Sequence, residues 1–323
     1  MGLLLLTAPP GWGKTQKIID WHQQNECSIV YISPLRALTN EFEKRCISLE
    51  RVLRPKKSED WMVFFKSKKN MLLIVTAEQL TEQKLQELQS KRILYVIDEI
   101  HLFYYWGESF RHRLLEIWMG LASEDNCIVA MTATIEKALY DKLIHEAFNN
   151  FEQVYHVDQG RNQFQTLPAK VVQYPQKKWM NAEIKAQLRT KRSKPLLVFV
   201  SYRSSVELWL SWAQKNSIRA IGCVGGQAQI FSEHIENHQW QLIVATSVLS
   251  HGVNLPSVAE VFITYPIELT EFWYQMAGRG GRRGEQFKLH HMNKERDKKW
   301  SHVPLLYFKY LKNRCFQSLN SMV

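Results

Sequence analysis

Short apolar runs alternate with amphipathic stretches along most of the chain. A first series lies at 2–8 (GLLLLTA), 27–33 (CSIVYIS), 71–77 (MLLIVTA), 93–99 (ILYVIDE) and 127–133 (CIVAMTA). These runs are continuous rather than alternating, so they read as strands of a parallel sheet covered on both faces. Helical spacing fills the intervals, as at 35–49 and 79–88. A second series follows at 195–201 (PLLVFVS), 218–224 (IRAIGCV), 241–247 (QLIVATS) and 258–264 (VAEVFIT). Polar residues, Gly and Pro break the pattern between Gly160 and Pro168. The expectation is an α/β protein of two tandem units, 1–160 and 161–284, followed by a basic extension at 285–323. The charged segment 54–70 reads as a surface loop and helix.

Composition narrows the class. A chain of 323 residues suits two domains, and 45% hydrophobic with 12% aromatic residues fills ordinary cores. No apolar run approaches the ~18 residues of a membrane span. The opening MGLLLLTAPP lacks the basic start and long core of a signal peptide and reads as a buried strand. The five cysteines are scattered with no C-x-x-C pair, so neither a zinc ribbon nor a disulfide framework is expected, and a cytoplasmic location fits. The net charge of +11 is uneven: 19 basic against 21 acidic residues in 1–160, but 23 against 10 in 161–323. That asymmetry suggests a polyanion held mainly by the second half; a solvated Lys-rich surface is the alternative.

Residues 8–15, APPGWGKT, follow the first strand and precede a helical pattern. Gly11 and Gly13 let backbone N–H groups curve around phosphate oxygens, and the helix start adds its positive dipole end. Lys14 supplies charge to the β and γ phosphates, and Thr15 offers a hydroxyl to Mg²⁺. Trp12 is given no role. The strand YVIDEIH (95–101) ends in the acids this chemistry needs. Asp98 is placed to hold Mg²⁺ and Glu99 to orient or deprotonate the attacking water. ATP and Mg²⁺ are therefore the expected ligands.

Together with SPLRALTNE (33–41), TAEQL (76–80), TAT (132–134), VFVSYRSSVE (198–207), ATSVLSHGVNLP (245–256) and QMAGRGGR (275–282), these segments resemble a superfamily 2 helicase of the DExH type. DEIHLFYYWGESFR (98–111) resembles the aromatic-rich loop of RecQ-type DNA helicases through His101, Trp106, Gly107, Phe110 and Arg111. An aromatic helix packed on the core is the alternative for that stretch. HGVNLP and QMAGR resemble instead the exosome-associated DExH RNA helicases. The resemblance implies two RecA-like domains with ATP at their interface. Gln275 would help orient water, Arg279 and Arg282 would be the second domain's arginines, and Arg282 would be the finger on the γ-phosphate. His101, Thr132 and Thr134 would link hydrolysis to closure, with Trp106, Phe110 and Arg111 coupling it to the strand. Pro34, Arg36, Thr76, Ser201, Arg203, Thr246 and Gly252 match positions that meet nucleic-acid phosphates; Arg36 and Arg203 read equally as plain surface charges.

The expected activity is a 3′ to 5′ helicase or translocase on single-stranded DNA. A motor subunit of a larger defence, restriction or transfer complex and an RNA helicase are the alternatives. Three departures from the family pattern add expectations. Only seven residues precede Ala8, which leaves no place for an adenine-reading element and suggests use of several triphosphates. Asn254 and Gln275 stand 21 residues apart, too close for a strand-splitting hairpin. Few residues follow the QMAGRGGR segment, so a wedge would come from a protein partner. The basic 285–323 extension reads as backbone contact, partner docking or a capping helix.

Overall fold

Residues 2–24, 27–89, 91–164, 166–190, 192–235, 239–250, 253, 255–281 and 284–293 are described in this computed structural model. In chain order the first array runs β1 (Gly2–Thr7), α1 (Lys14–Gln24), β2 (Ser28–Ser33), α2 (Arg36–Arg45), β3 (Val52–Leu53), α3 (Ser58–Lys66), β4 (Leu72–Thr76), α4 (Glu82–Gln89), β5 (Ile93–Ile97), α5 (Ile100–Ser109), α6 (His112–Ala122), β6 (Cys127–Thr132), α7 (Lys137–Asn150) and β7 (Gln153–Asp158). Its seven strands form one parallel sheet in the order β3-β4-β2-β5-β6-β1-β7. The second array runs β8 (Lys170–Tyr174), α8 (Lys177–Leu188), β9 (Leu196–Phe199), α9 (Arg203–Lys215), β10 (Ala220–Cys223), α10 (Ala228–Ile235), β11 (Leu242–Ala245), β12 (Glu260–Ile263), α11 (Thr270–Ala277) and β13 (Lys288–Met292). Its parallel order is β10-β11-β9-β12-β13-β8. Both sheets fall within one compact unit that ends at Met292.

The continuous apolar runs became the central strands. Every residue of β2 and β4 is buried, because helices cover both faces of the sheet. Four strands escape the apolar pattern: β3, β7, β8 and β13. Strand β7 (QVYHVD) lies at the sheet edge, with Tyr155 and Val157 exposed, so its sequence is half polar. Strand β13 (KLHHM) lies within the sheet, but its polar His290 is satisfied by hydrogen bonds. The segment 54–70 is more than a surface insertion. It folds into α3, whose Trp61 and Phe64 enter the first core, and Lys84 Nζ lies 4.1 Å from the Trp61 ring centroid. No helix among the described residues is long and apolar enough to cross a membrane.

The second sheet carries a buried polar cluster that no motif announces. Glu260, at the start of β12, is 2% exposed. It accepts hydrogen bonds from His290 Nε2 at 2.7 Å, Gln187 Nε2 at 2.9 Å and Arg192 Nη2 at 3.0 Å. Tyr174 Oη lies 3.1 Å from the other ring nitrogen of His290. A carboxylate only accepts, so His290 carries its proton on Nε2. The cluster ties α8, β12 and β13 together.

Candidate functional site

In a parallel sheet, ligands gather beyond the carboxyl ends of the strands. The loop between β1 and α1 lies there and turns back through Gly11 (φ 82°) and Gly13 (φ 99°). A Cβ at Gly13 would meet nothing within 4 Å, so backbone conformation rather than space demands glycine there. The Lys14 ammonium donates to the carbonyls of Ala8 and Pro9 at 2.7 and 3.3 Å. Thr15 follows it in the first turn of α1. The Ala8 amide donates to the Thr132 carbonyl, which binds this loop to the end of β6.

Asp98 and Glu99 follow β5 at the same edge. Asp98 is 7% exposed and accepts from the Glu99 amide at 3.0 Å through Oδ1. Its Oδ2 accepts the Tyr31 hydroxyl. Tyr31, on the neighbouring strand β2, is fully buried against Phe42. Nothing in the motif pattern pointed to it, because its position reads as one more apolar strand residue. Burial raises the Asp98 carboxyl above its ordinary range. Burial, and then the Asp98 charge, raise Glu99 as well, whereas Lys14 opposes both shifts. Glu99 adopts a left-handed backbone (φ 50°, ψ 51°) at the start of α5, a strained conformation of the kind found at functional sites.

A chain of polar contacts leads from Glu99 to the second array. Thr132 Oγ1 donates to the Thr134 carbonyl at 2.7 Å. With that proton committed, His101 Nδ1, 2.7 Å away, must be the donor to Thr132. His101 Nδ1 also lies 3.4 Å from Glu99 Oε2. Full burial, then the Lys14 charge, push the His101 ring down to about 3, so it is neutral and its Nε2 accepts. Gln275 Nε2 supplies that hydrogen bond at 3.1 Å and lies 3.3 Å from Thr134 Oγ1. The Gln275 amide orientation is thereby fixed. Its carbonyl Oε1 is buried with no hydrogen-bond partner. Arg279 is 2% exposed and donates to the Val253 carbonyl at 2.6 Å, tying the end of α11 to the 245–256 segment. Arg282 and Gly252 lie outside the described residues.

The aromatic stretch after Asp98 is helical rather than a loop. Leu102, Phe103 and Tyr104 of α5 are core residues. Trp106 is half-buried, whereas Phe110, just past the helix end, is 66% exposed with its ring 5.9 Å away. The Arg111 guanidinium lies 5.3 Å from the Trp106 ring and pairs with Glu78 in the TAEQL segment. Helix α5 therefore runs from the acids at one end to Trp106, Phe110, Arg111 and the TAEQL segment at the other.

The expected phosphate contacts divide by exposure. Arg36, Ser201 and Arg203 are exposed, and Thr246 is half-buried. Arg203 Nη2 donates to the Gly225 carbonyl at 2.7 Å, and the Thr246 amide donates to Cys223. The segments following β9, β10 and β11 are thus held side by side. Pro34 and Thr76 are buried, and the Thr76 amide is already taken by Gln79 Oε1 at 2.9 Å. Thr76 offers a strand neither an exposed side chain nor a free amide.

Among the described residues no group of three or more His, Cys, Asp or Glu gathers around a metal position. The donor set fits Mg²⁺ held jointly with a triphosphate, by the Thr15 hydroxyl and the Asp98 carboxylate. When bound there, Mg²⁺ would neutralise charge developing on the phosphate oxygens.

A family model described as DEAD/DEAH box helicase matches residues 3–142, and one described as helicase conserved C-terminal domain matches residues 179–284. The ATP-dependent DNA helicase RecQ of Bacillus subtilis is 27% identical over 221 residues, covering 66% of this chain and 36% of the relative. A putative ATP-dependent RNA helicase of Methanocaldococcus jannaschii is 22% identical over 275 residues, covering 81% of this chain and 33% of the relative. The chain thus spans about a third of either relative's length. Among solved structures, Saccharomyces cerevisiae Dbp5 bound to RNA and ADP BeF3 superposes with a TM-score of 0.66 at 13% identity. The match covers 91% of this chain and 79% of that one. This likeness establishes two tandem RecA-like domains as the fold.

Proposed function

From a chain that carries the DEAD/DEAH-box and C-terminal domains of a superfamily 2 helicase, we propose a nucleic-acid-dependent ATPase. It moves 3′ to 5′ on single-stranded DNA as a RecQ-like helicase or translocase. The observation that carries this reading is the polar chain in which His101 is hydrogen-bonded to Thr132 and Gln275 and lies 3.4 Å from Glu99. It joins the acid of one domain to an otherwise buried amide of the other. Glu99 takes the proton of the attacking water, Gln275 Oε1 accepts the water's second hydrogen, and Lys14 holds the phosphates. Hydrolysis then depends on the two domains meeting, so each cycle couples to a movement along the strand. Arg282 supplies the finger charge in this scheme.

Nucleic acid lies across the exposed Arg36, Ser201 and Arg203, with Thr246 and Gly252 as further proposed contacts and Phe110 or Trp106 stacking on a base. Such contacts grip the backbone without reading sequence. Between Leu255 and Gln275 the chain forms only β12, a loop and the start of α11, with no hairpin to split a duplex. In this reading a protein partner supplies a strand-separating element. DNA is favoured by the RecQ relative and by the Trp106-Gly107, Phe110-Arg111 pattern. RNA is the second reading, favoured by the archaeal relative. ATPase stimulation by matched single-stranded DNA and RNA of about 30 nucleotides, longer than a single OB-type site of ~4–16, separates them. DNA should give the larger stimulation at equal concentration. A larger response to RNA would replace the DNA reading with the second one.

A further inference from the structure

Helices α5 and α11 meet through two rungs rather than one. Gln275 and His101 form the first at 3.1 Å. One turn away on each helix, the Tyr105 hydroxyl donates to Glu271 Oε1 at 2.8 Å. Residues four apart lie on one helix face, with ~6 Å between successive rungs, and the two pairs run antiparallel. Tyr105 also lies 3.5 Å from Glu136 Oε2, but its single proton goes to the nearer Glu271. Burial, then the hydrogen bond to Glu271, raise the Tyr105 hydroxyl far above its ordinary range, so it remains a donor. Glu271 is fully buried, and its second oxygen has no hydrogen-bond partner. A carboxylate removed from water is costly unless it is paired, so a neutral side chain would serve packing better at this position.

We infer that Tyr105 and Glu271 are positioning residues for hydrolysis, a second rung that fixes the roll of α11 and so aims Gln275 Oε1 beside Glu99. One hydrogen bond fixes a point and leaves a pivot; a second one a turn away removes it. A misplacement of about 1 Å at a reacting centre costs about 10²-fold in rate, so a lost rung acts through Gln275 without touching the nucleotide. The inference rests on the ATPase reading above.

The test measures ATPase kinetics of the full chain at saturating single-stranded nucleic acid. It compares the unaltered protein with Tyr105→Phe, Glu271→Ala, Gln275→Ala and the Tyr105→Phe/Gln275→Ala double variant. Tyr105→Phe should lower kcat at least about tenfold, with KM within about twofold and a Tm lowered by several °C, because buried Glu271 loses its hydrogen-bond donor. Added to Gln275→Ala it should cost nothing further, because residues acting as one unit are non-additive. Should Glu271→Ala fail to fold, Tyr105→Phe removes one oxygen and carries the test. A Tyr105→Phe kcat within twofold of the unaltered protein, or a multiplicative double loss, overturns this inference alone, provided Gln275→Ala is slow. An unaltered chain without ATPase, or Gln275→Ala at full kcat, overturns the ATPase reading and this inference with it.

Discussion

Replacing Glu99 with Gln should lower the steady-state ATPase rate by about 10²–10⁴, the range a positioned general base contributes. ATP affinity should stay within a few-fold. The separation follows from the geometry. Phosphate binding belongs to the Gly11–Gly13 turn and to Lys14, whose ammonium also donates to the Ala8 and Pro9 carbonyls. Glu99 sits instead in a strained left-handed conformation beside Thr132 and His101, with burial and the Asp98 charge raising its proton affinity. Gln keeps the size and one acceptor oxygen but cannot take a proton. Turnover assays paired with equilibrium binding of a fluorescent ATP analogue check this. A Glu99→Gln rate within tenfold of the unaltered protein would remove Glu99 from the base role.

The second large effect concerns stability. Glu260→Ala should destabilise the fold by about 3–5 kcal/mol, the usual cost of stranding one side of a buried ionic cluster. Arg192, His290 and Gln187 would all lose their shared acceptor. A pH dependence accompanies it. Burial raises the Glu260 carboxyl, but the hydrogen bonds from His290, Arg192 and Gln187 together outweigh it and hold it down at about 2. A carboxyl depressed in the folded state stabilises fully above its unfolded value of 4.5 and loses that contribution as pH falls from there towards 2. Urea denaturation of both proteins at pH 7 and pH 3 measures it. The gap between them should be wide at pH 7 and narrower at pH 3. An equal gap at both would mean that ionised Glu260 contributes nothing.

The sequence conveyed most clearly what depends on local rules. Continuous apolar runs marked the central strands, and the phosphate loop and DEIH segment stood where strand ends require them. Edge and polar strands were silent, because β7 needs only one apolar face and β13 buries a histidine satisfied by Tyr174 and Glu260. Tyr31 was hidden for a related reason: inside a strand an apolar pattern looks the same whether or not a hydroxyl reaches Asp98. The Tyr105–Glu271 contact joins residues 166 positions apart, which no local spacing encodes. Among the expected strand contacts, Thr76 lost its opening because the turn after β4 uses its amide.

In the proposed mechanism, two domains brought together on nucleic acid perform hydrolysis. The most direct measurement is the steady-state ATPase rate of the full chain with Mg²⁺, without and with saturating single-stranded DNA or RNA. The expected result is slow basal turnover raised at least about tenfold, one 1.4 kcal/mol step in barrier, by at least one of the two polymers. Equal rates with and without either polymer would contradict the claim.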